Sequence, residues 1–275
     1  MQITKTVKYL AERFYYTTSI LPYNPDPDFD QGYLEEFRKK GFVVIPGFNK
    51  NLAESVRREV FESGSAPLSD TDFFEVHSSD RISRLGRKLS SYLYPTSKYC
   101  FDLLCSGLIV DLVGSYFGRQ PYLRNFPMLL NTEFEKKEDT DVQEHFHLDG
   151  GTRQVSCIFL IEDLDEEMTC TEFASRSHRE FLPVSHYLDR WKIDNAEIES
   201  KYEIVRLCGK AGDLIVFDAG NGYHRGRFVP KTSRKMIHLN YTQGNRIVED
   251  HSDKRLAEHI SSHSRRVVES LSFLS

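Results

Sequence analysis

The chain of 275 residues carries 36 Lys and Arg against 41 Asp and Glu, and its net charge of −5 is spread without a single-sign block. That excludes the basic footprint of a nucleic-acid binder and a cationic membrane-binding face. With 39% hydrophobic and 28% charged residues, 14 Tyr and 19 Phe, the composition excludes a disordered chain and suits one large globular domain with an enzyme-sized core.

Cys100, Cys105, Cys157, Cys170 and Cys208 are odd in number and scattered, with no CxxC pair. They read as reduced, mostly buried thiols, neither a disulfide framework nor a zinc site. The opening "MQITKTVKYLAERFYYTTS" has charges where a signal peptide is apolar, and no run approaches the roughly 20 apolar residues that cross a bilayer. The expectation is a cytoplasmic protein with neither membrane nor nucleic acid as partner.

In chain order, residues 1–30 read as an N-terminal arm and linker, because the prolines and Asn/Asp residues of "LPYNPDPDFD" cannot continue a helix or a sheet. Residues 31–275 read as a single domain. "QGYLEEFRKKG" places Tyr33, Leu34 and Phe37 at helical spacing and stops at Gly41, "FVVIPGF" is a short strand, and "NKNLAESVRREVFESG" is a helix capped by Asn49. Residues 78–118 read as mostly helical. From Pro121 on, "YLRNFPMLLNTEF", "QEHFHLD", "RQVSCIFLIEDL", "EIVRLC", "GDLIVFDA" and "SRKMIHLNYTQG" are strand-like. A last helix carries Leu256, Ile260, Val267 and Leu271 on one face. The class is therefore mainly β with flanking helices, two packed sheets or a jelly-roll barrel with a mouth.

Within "QEHFHLDGGTR", His147 and Asp149 share one side of an extended segment, their α-carbons roughly 6.5–7 Å apart, close enough to hold one ion. By itself HxD fits a turn aspartate beside a surface histidine equally well, so a ligand from another strand is needed. His224, after the strand "LIVF" and a Gly/Asn turn, is the candidate. Two imidazoles and one carboxylate on one face, with other positions open, are the ligand set of non-haem Fe(II) oxygenases.

A helix followed by "GFVVIPGF", then "QEHFHLDGG", "IFLIEDLDEEMTCTEFASRSHR", "GDLIVFDAGNGYHRG" and "TSRKMIHLNY" resembles the phytanoyl-CoA dioxygenase family of Fe(II)/2-oxoglutarate oxygenases over roughly residues 30 to 245. The resemblance implies a double-stranded β-helix core, the jelly-roll or cupin-like architecture. It implies that His147, Asp149 and His224 bind Fe(II) and that Arg234, ten residues past His224, holds the far carboxylate of 2-oxoglutarate. A guanidinium suits that task through two parallel donors, which Lys235 could not match. Thr232 or Ser233 would add a hydroxyl, and Asn131 is a further candidate for a cosubstrate contact. The implied reaction consumes O2 and 2-oxoglutarate, releases succinate and CO2, and hydroxylates or otherwise oxidises a small-molecule, biosynthetic-type substrate. Halogenating members replace the aspartate, and Asp149 is present.

The family's Gly-Ser-His phrase reads "SRSHR" here, where His178 is expected to shape a loop rather than touch metal. His145 shares the HxH spacing of cupins but lacks their following glutamate, and His238 sits inside a strand pattern, so both rank below His224 as ligands. His145, Arg153, Arg225 and Arg227, with Arg124 and Arg176, are candidates for a cationic rim around an anionic or carrier-linked substrate, and Phe126, Phe146 and Tyr223 for an apolar lining. Two rival readings are a non-catalytic jelly-roll ligand-binding module and a cupin-type metalloenzyme without 2-oxoglutarate, built on His145, His147 and His224.

Overall fold

The computed structural model describes residues 23–58, 74–75, 87–89, 92–93, 103, 106–134, 144–149, 153–189 and 193–243; within 74–93 and 124–134 it describes the backbone alone, as it does at 187–188. The expected C-terminal helix and most of the N-terminal arm lie outside these residues.

Helix α1 (Gln31–Lys40) starts where the Asp30 carboxylate accepts from the Gly32 amide and ends at Gly41, whose φ of 88° is the left-handed cap that glycine adopts without strain. A side chain at Gly41 would also strike the His178 ring at 2.5 Å. Strand β1 (Phe42–Ile45) leads to α2 (Lys50–Val56), capped as expected by the Asn49 side-chain Oδ1 accepting from Leu52 N. Short strands β2 (Phe74–Glu75), β3 (Arg87–Leu89) and β4 (Tyr92–Leu93) follow, the last two within residues 78–118, which read as mostly helical in the sequence. The difference has a tertiary cause, because β3 is recruited to the edge of β5 by backbone pairing, Arg87 opposite Phe134.

Helix α3 (Gly107–Phe117) precedes the long β5 (Tyr122–Phe134), then β6 (Gln154–Leu160) and β7 (Cys170–Ala174). A 3-10 turn at Ser177–Arg179 and helices α4 (Val184–Leu188) and α5 (Asn195–Lys201) lead to β8 (Ile204–Leu207), β9 (Leu214–Asp218), β10 (His224–Arg227) and β11 (Ser233–Thr242). One antiparallel sheet has the order β1-β9-β6-β11-β5-β3 and a second has β10-β7-β8. Facing each other, they form the expected jelly roll.

Alternation along the strands divides the apolar residues into two layers. Ile237, Leu239 and Tyr241 of β11 pack with Phe37, Leu112 and Val113 of the helices that back the large sheet. Met236 faces the other way and joins Ile158, Ile215 and Phe217 against Phe173 and Leu207 of the small sheet, so this layer is the barrel interior. The helices are clamped by Phe37 stacked on Tyr116 at 4.0 Å between ring centroids, and the Tyr116 hydroxyl donates to Asp218 Oδ2 at 2.6 Å. Tyr23 donates to Asp111, and Phe29 is buried in the helix layer, so the end of the proline-rich segment packs on the domain. Among the described residues no helix is long and apolar enough to cross a membrane.

Candidate metal centre

His224 opens β10, and the turn before it is built from Asp218: its Oδ1 accepts from Asn221 N at 2.9 Å and its carbonyl from Gly222 N at 2.9 Å. Gly222 passes so close to the Phe173 ring that a Cβ would lie 2.2 Å from it. On the other side of the centre, 144–149 does not form the strand expected for "QEHFHLD". It touches β10 through one antiparallel bridge, His147 opposite His224, with His147 N donating to His224 O (2.9 Å) and His224 N to His147 O (3.2 Å). Asn195 of α5 fixes the rest, accepting from Phe146 N and donating to Glu144 O, while Asp149 N donates to Ala219 O at 2.7 Å. Phe146 and Leu148 are buried in a third apolar cluster with Tyr223, Leu182 and Ile198, which turns His147 and Asp149 toward the barrel interior.

His147, Asp149 and His224 converge there. Their ligand atoms lie within 4.8 Å of one another, with Asp149 Oδ1 at 3.8 Å from His147 Nε2 and Asp149 Oδ2 at 3.8 Å from His224 Nε2. The imidazoles are 4.4 Å apart between centroids and inclined at 54°, and Phe217 packs edge-on to His224 at 5.3 Å. Each Nδ1 faces the carbonyl two residues back, His145 O at 2.8 Å and Gly222 O at 3.1 Å. A carbonyl only accepts, so both Nδ1 atoms carry the proton and both Nε2 lone pairs point at the common centre. That is the arrangement a cation needs from neutral imidazoles.

Asp149 is itself oriented. Gln154 Nε2 donates to Asp149 Oδ2 at 3.1 Å and to Asn240 Oδ1 at 3.3 Å, and Ser156 Oγ donates to the same Asn240 oxygen at 2.6 Å. All three are buried on the interior faces of β6 and β11. Sequence reasoning passed over them, although polar residues at every second position of otherwise apolar strands (Gln154, Ser156; His238, Asn240) were a readable signal.

Arg234 begins the interior row of β11 and crosses to the small sheet, where Nη1 donates to Thr171 Oγ1 at 3.1 Å. Thr171 is opposite Gly226, two residues beyond His224 on the same face. The guanidinium thus lies one strand repeat, about 6.5–7 Å along β10, from the His224 position. His238 follows in the same row. Its Nε2 is buried with no hydrogen-bond partner among the described residues, a condition costing about 1–3 kcal/mol in a finished core. Burial pushes its pKa down to about 4, with Arg234 and His224 acting in the same direction and Asp149 opposing, so the ring is neutral.

Other candidates lie elsewhere. Arg225 and Arg227 alternate with His224 and therefore occupy the outer face of the small sheet, away from the three convergent residues: Arg225 Nε donates to Glu172 Oε2 at 2.7 Å, and Arg227 Nη1 to the carbonyls of Glu166 and Met168. The two-residue period of a strand puts both guanidiniums on the face opposite His224. The Thr232 hydroxyl is engaged with Val229 O and Thr169, and Ser233 Oγ with Glu162. Asn131 sits opposite Lys235 in β5, while Arg234 is opposite Thr132; the Asn131, Arg124 and Phe126 side chains lie outside what is described. His145 contributes its carbonyl, and Arg153 and Arg176 are exposed. His178 Nε2 contacts Arg38 O at the end of α1 at 3.1 Å.

No protein-family model and no curated protein sequence matches the chain. Solved structures do. EctD from S. alaskensis with bound Fe superposes with a TM-score of 0.57 at 17% identity, over 81% of this chain and 80% of that one. The non-heme alpha ketoglutarate dependent epimerase SnoN from nogalamycin biosynthesis gives 0.54 at 19% identity, over 78% and 84%. HygX from Streptomyces hygroscopicus, with nickel and 2-oxoglutarate bound, gives 0.51 at 13% identity, over 83% and 94%. At these identities the likeness establishes the shared fold, a double-stranded β-helix.

Proposed function

We propose that this protein is an Fe(II)- and 2-oxoglutarate-dependent dioxygenase of the phytanoyl-CoA dioxygenase type, which hydroxylates a small molecule. The observation that carries the reading is the tautomer-fixed pair His147 and His224 facing Asp149, with Arg234 one strand repeat away on the same interior. Three protein donors on one face leave the remaining positions of a six-coordinate ion open, as the non-haem Fe(II) set requires. The metals and keto acid named for EctD, SnoN and HygX support it.

When bound, ferrous iron with 2-oxoglutarate and O2 supplies an oxidant able to take hydrogen from an unactivated carbon, with succinate and CO2 as co-products. His147, Asp149 and His224 would hold the ion. Gln154 keeps Asp149 in register, and Arg234 neutralises the distal carboxylate while fixing the keto acid's direction by charge-assisted hydrogen bonds. Phe217 and the apolar layer around it exclude water from the imidazole faces. The rival built on His145 lacks support, since among the described residues the convergent group includes Asp149 and not His145.

The test is anaerobic binding of 2-oxoglutarate to the Fe(II) protein followed by O2-dependent succinate release. We expect both in wild type. In Arg234→Leu, 2-oxoglutarate binding should weaken about ten- to a hundredfold with metal affinity retained, matching the loss of charge-assisted bonds. A wild-type protein that binds Fe(II) but not 2-oxoglutarate would return the chain to a ligand-binding module.

A further inference from the structure

The geometry points to His238 as a further binding residue of this centre, one that grips the metal-side carboxylate of the keto acid through Nε2. This rests on the proposed function. The interior row of β11 reads Arg234, Met236, His238, Asn240, as Ile237, Leu239 and Tyr241 turn into the helix layer. Both ends of the row are committed to the centre: Arg234 crosses to Thr171 beside β10, and Asn240 reaches Asp149 through Gln154. His238 stands between them. Asp149, Arg234 and His224 are also the charged and titratable groups that act on its ring.

His238 is not needed as a metal ligand, because the three convergent residues close without it. Nor is it explained as packing. A purely apolar task on that face is performed by Met236 and Ile158, and a structural buried histidine has its ring nitrogens satisfied by protein, whereas Nε2 of His238 is buried without a partner among the described residues. A neutral imidazole carries one N–H and one lone pair, and the tautomer with the proton on Nε2 donates to an anionic oxygen. Of the ligands proposed for the centre, the keto acid's metal-side carboxylate would be the anionic group on the Asp149 side of Arg234. Arg234 would then hold one end of the keto acid and His238 the other.

The experiment compares wild type, His238→Leu and His238→Gln, loaded with Ni(II) to prevent turnover, by calorimetric titration with 2-oxoglutarate and, separately, with Ni(II) alone. The leucine variant should bind 2-oxoglutarate about ten- to a hundredfold more weakly with unchanged Ni(II) affinity, and glutamine, which keeps a donor, should recover most of the loss. As a readout free of substitution, the His238 ring nitrogen signals of 15N-histidine-labelled, Zn(II)-loaded wild type, assigned by their absence in His238→Gln, should shift on saturation with 2-oxoglutarate. Leucine-variant binding equal to wild type, parallel loss of Ni(II) affinity, or signals that stay in place would each overturn the inference. Wild type that takes up Ni(II) and no 2-oxoglutarate overturns the proposed function first, and this inference with it.

Discussion

Two histidines become ion donors here because each Nδ1 has a backbone carbonyl to bind, and Asp149 faces them because Gln154 and the Ala219 carbonyl leave it no other direction. Such supporting bonds are cheap to remove without touching a ligand. Gln154→Leu keeps the volume and deletes the bond to Asp149; metal affinity should fall about 10- to 100-fold, measured by competition against a chromophoric chelator, while the far-UV spectrum stays that of wild type. Unchanged affinity would show that the aspartate is positioned by its backbone alone. The contrast with Arg225 is instructive: one residue from His224, it serves the opposite face, covering the Phe146 ring at 4.4 Å and pairing with Glu172 and Glu199.

The small sheet is held by charge as well as by apolar contact. Glu172 in the middle strand is 6% exposed and is opposite Arg225 on one side and Arg206 on the other, with carboxylate distances of 2.7 and 3.6 Å. Arg227 adds a third guanidinium at 3.9 Å. Removing the shared anion would leave several cations facing one another, one of them, Arg225, largely buried. Glu172→Ala should therefore lower stability by about 3 kcal/mol in chemical denaturation, whereas Glu199→Ala, losing a solvent-facing partner of Arg225, should cost under about 1 kcal/mol. Equal effects would mean that the row contributes no more than a surface ion pair.

Taken together, the two sheets hold the centre between layers that must both be folded before any ligand atom is in place. His147 and Asp149 come from a loop segment, His224 from the small sheet, Arg234 and His238 from the large one. Ligands that join these pieces must stabilise the fold by mass action. With Ni(II) and 2-oxoglutarate each at a hundred times its dissociation constant, every site should add about 2.7 kcal/mol, and chelation with EDTA should reverse the rise in thermal midpoint. Midpoints that do not depend on keto acid in the presence of metal would contradict a joint site.

How much of this was readable beforehand depends on how local each feature is. Asn49 and Gly41 mark helix ends because a cap is an interaction within a few residues, and β5, β6, β9 and β11 announce themselves through apolar strand runs. His147 and Asp149 share a side by the two-residue period of extended backbone. By contrast, β7 and β10 went unread, since "CTEFA" and "HRGR" place charges on their outer face that only cross-strand partners neutralise. Propensity was equally silent on β3, recruited by a distant edge. Sequence alone determined the residue types and which neighbours share a face. The pairing of β10 with β7, the bridge from His147 to His224, and the row that carries Arg234, His238 and Asn240 past Asp149 were decided by long-range registry, because that depends on which segments bury one another and not on any one of them.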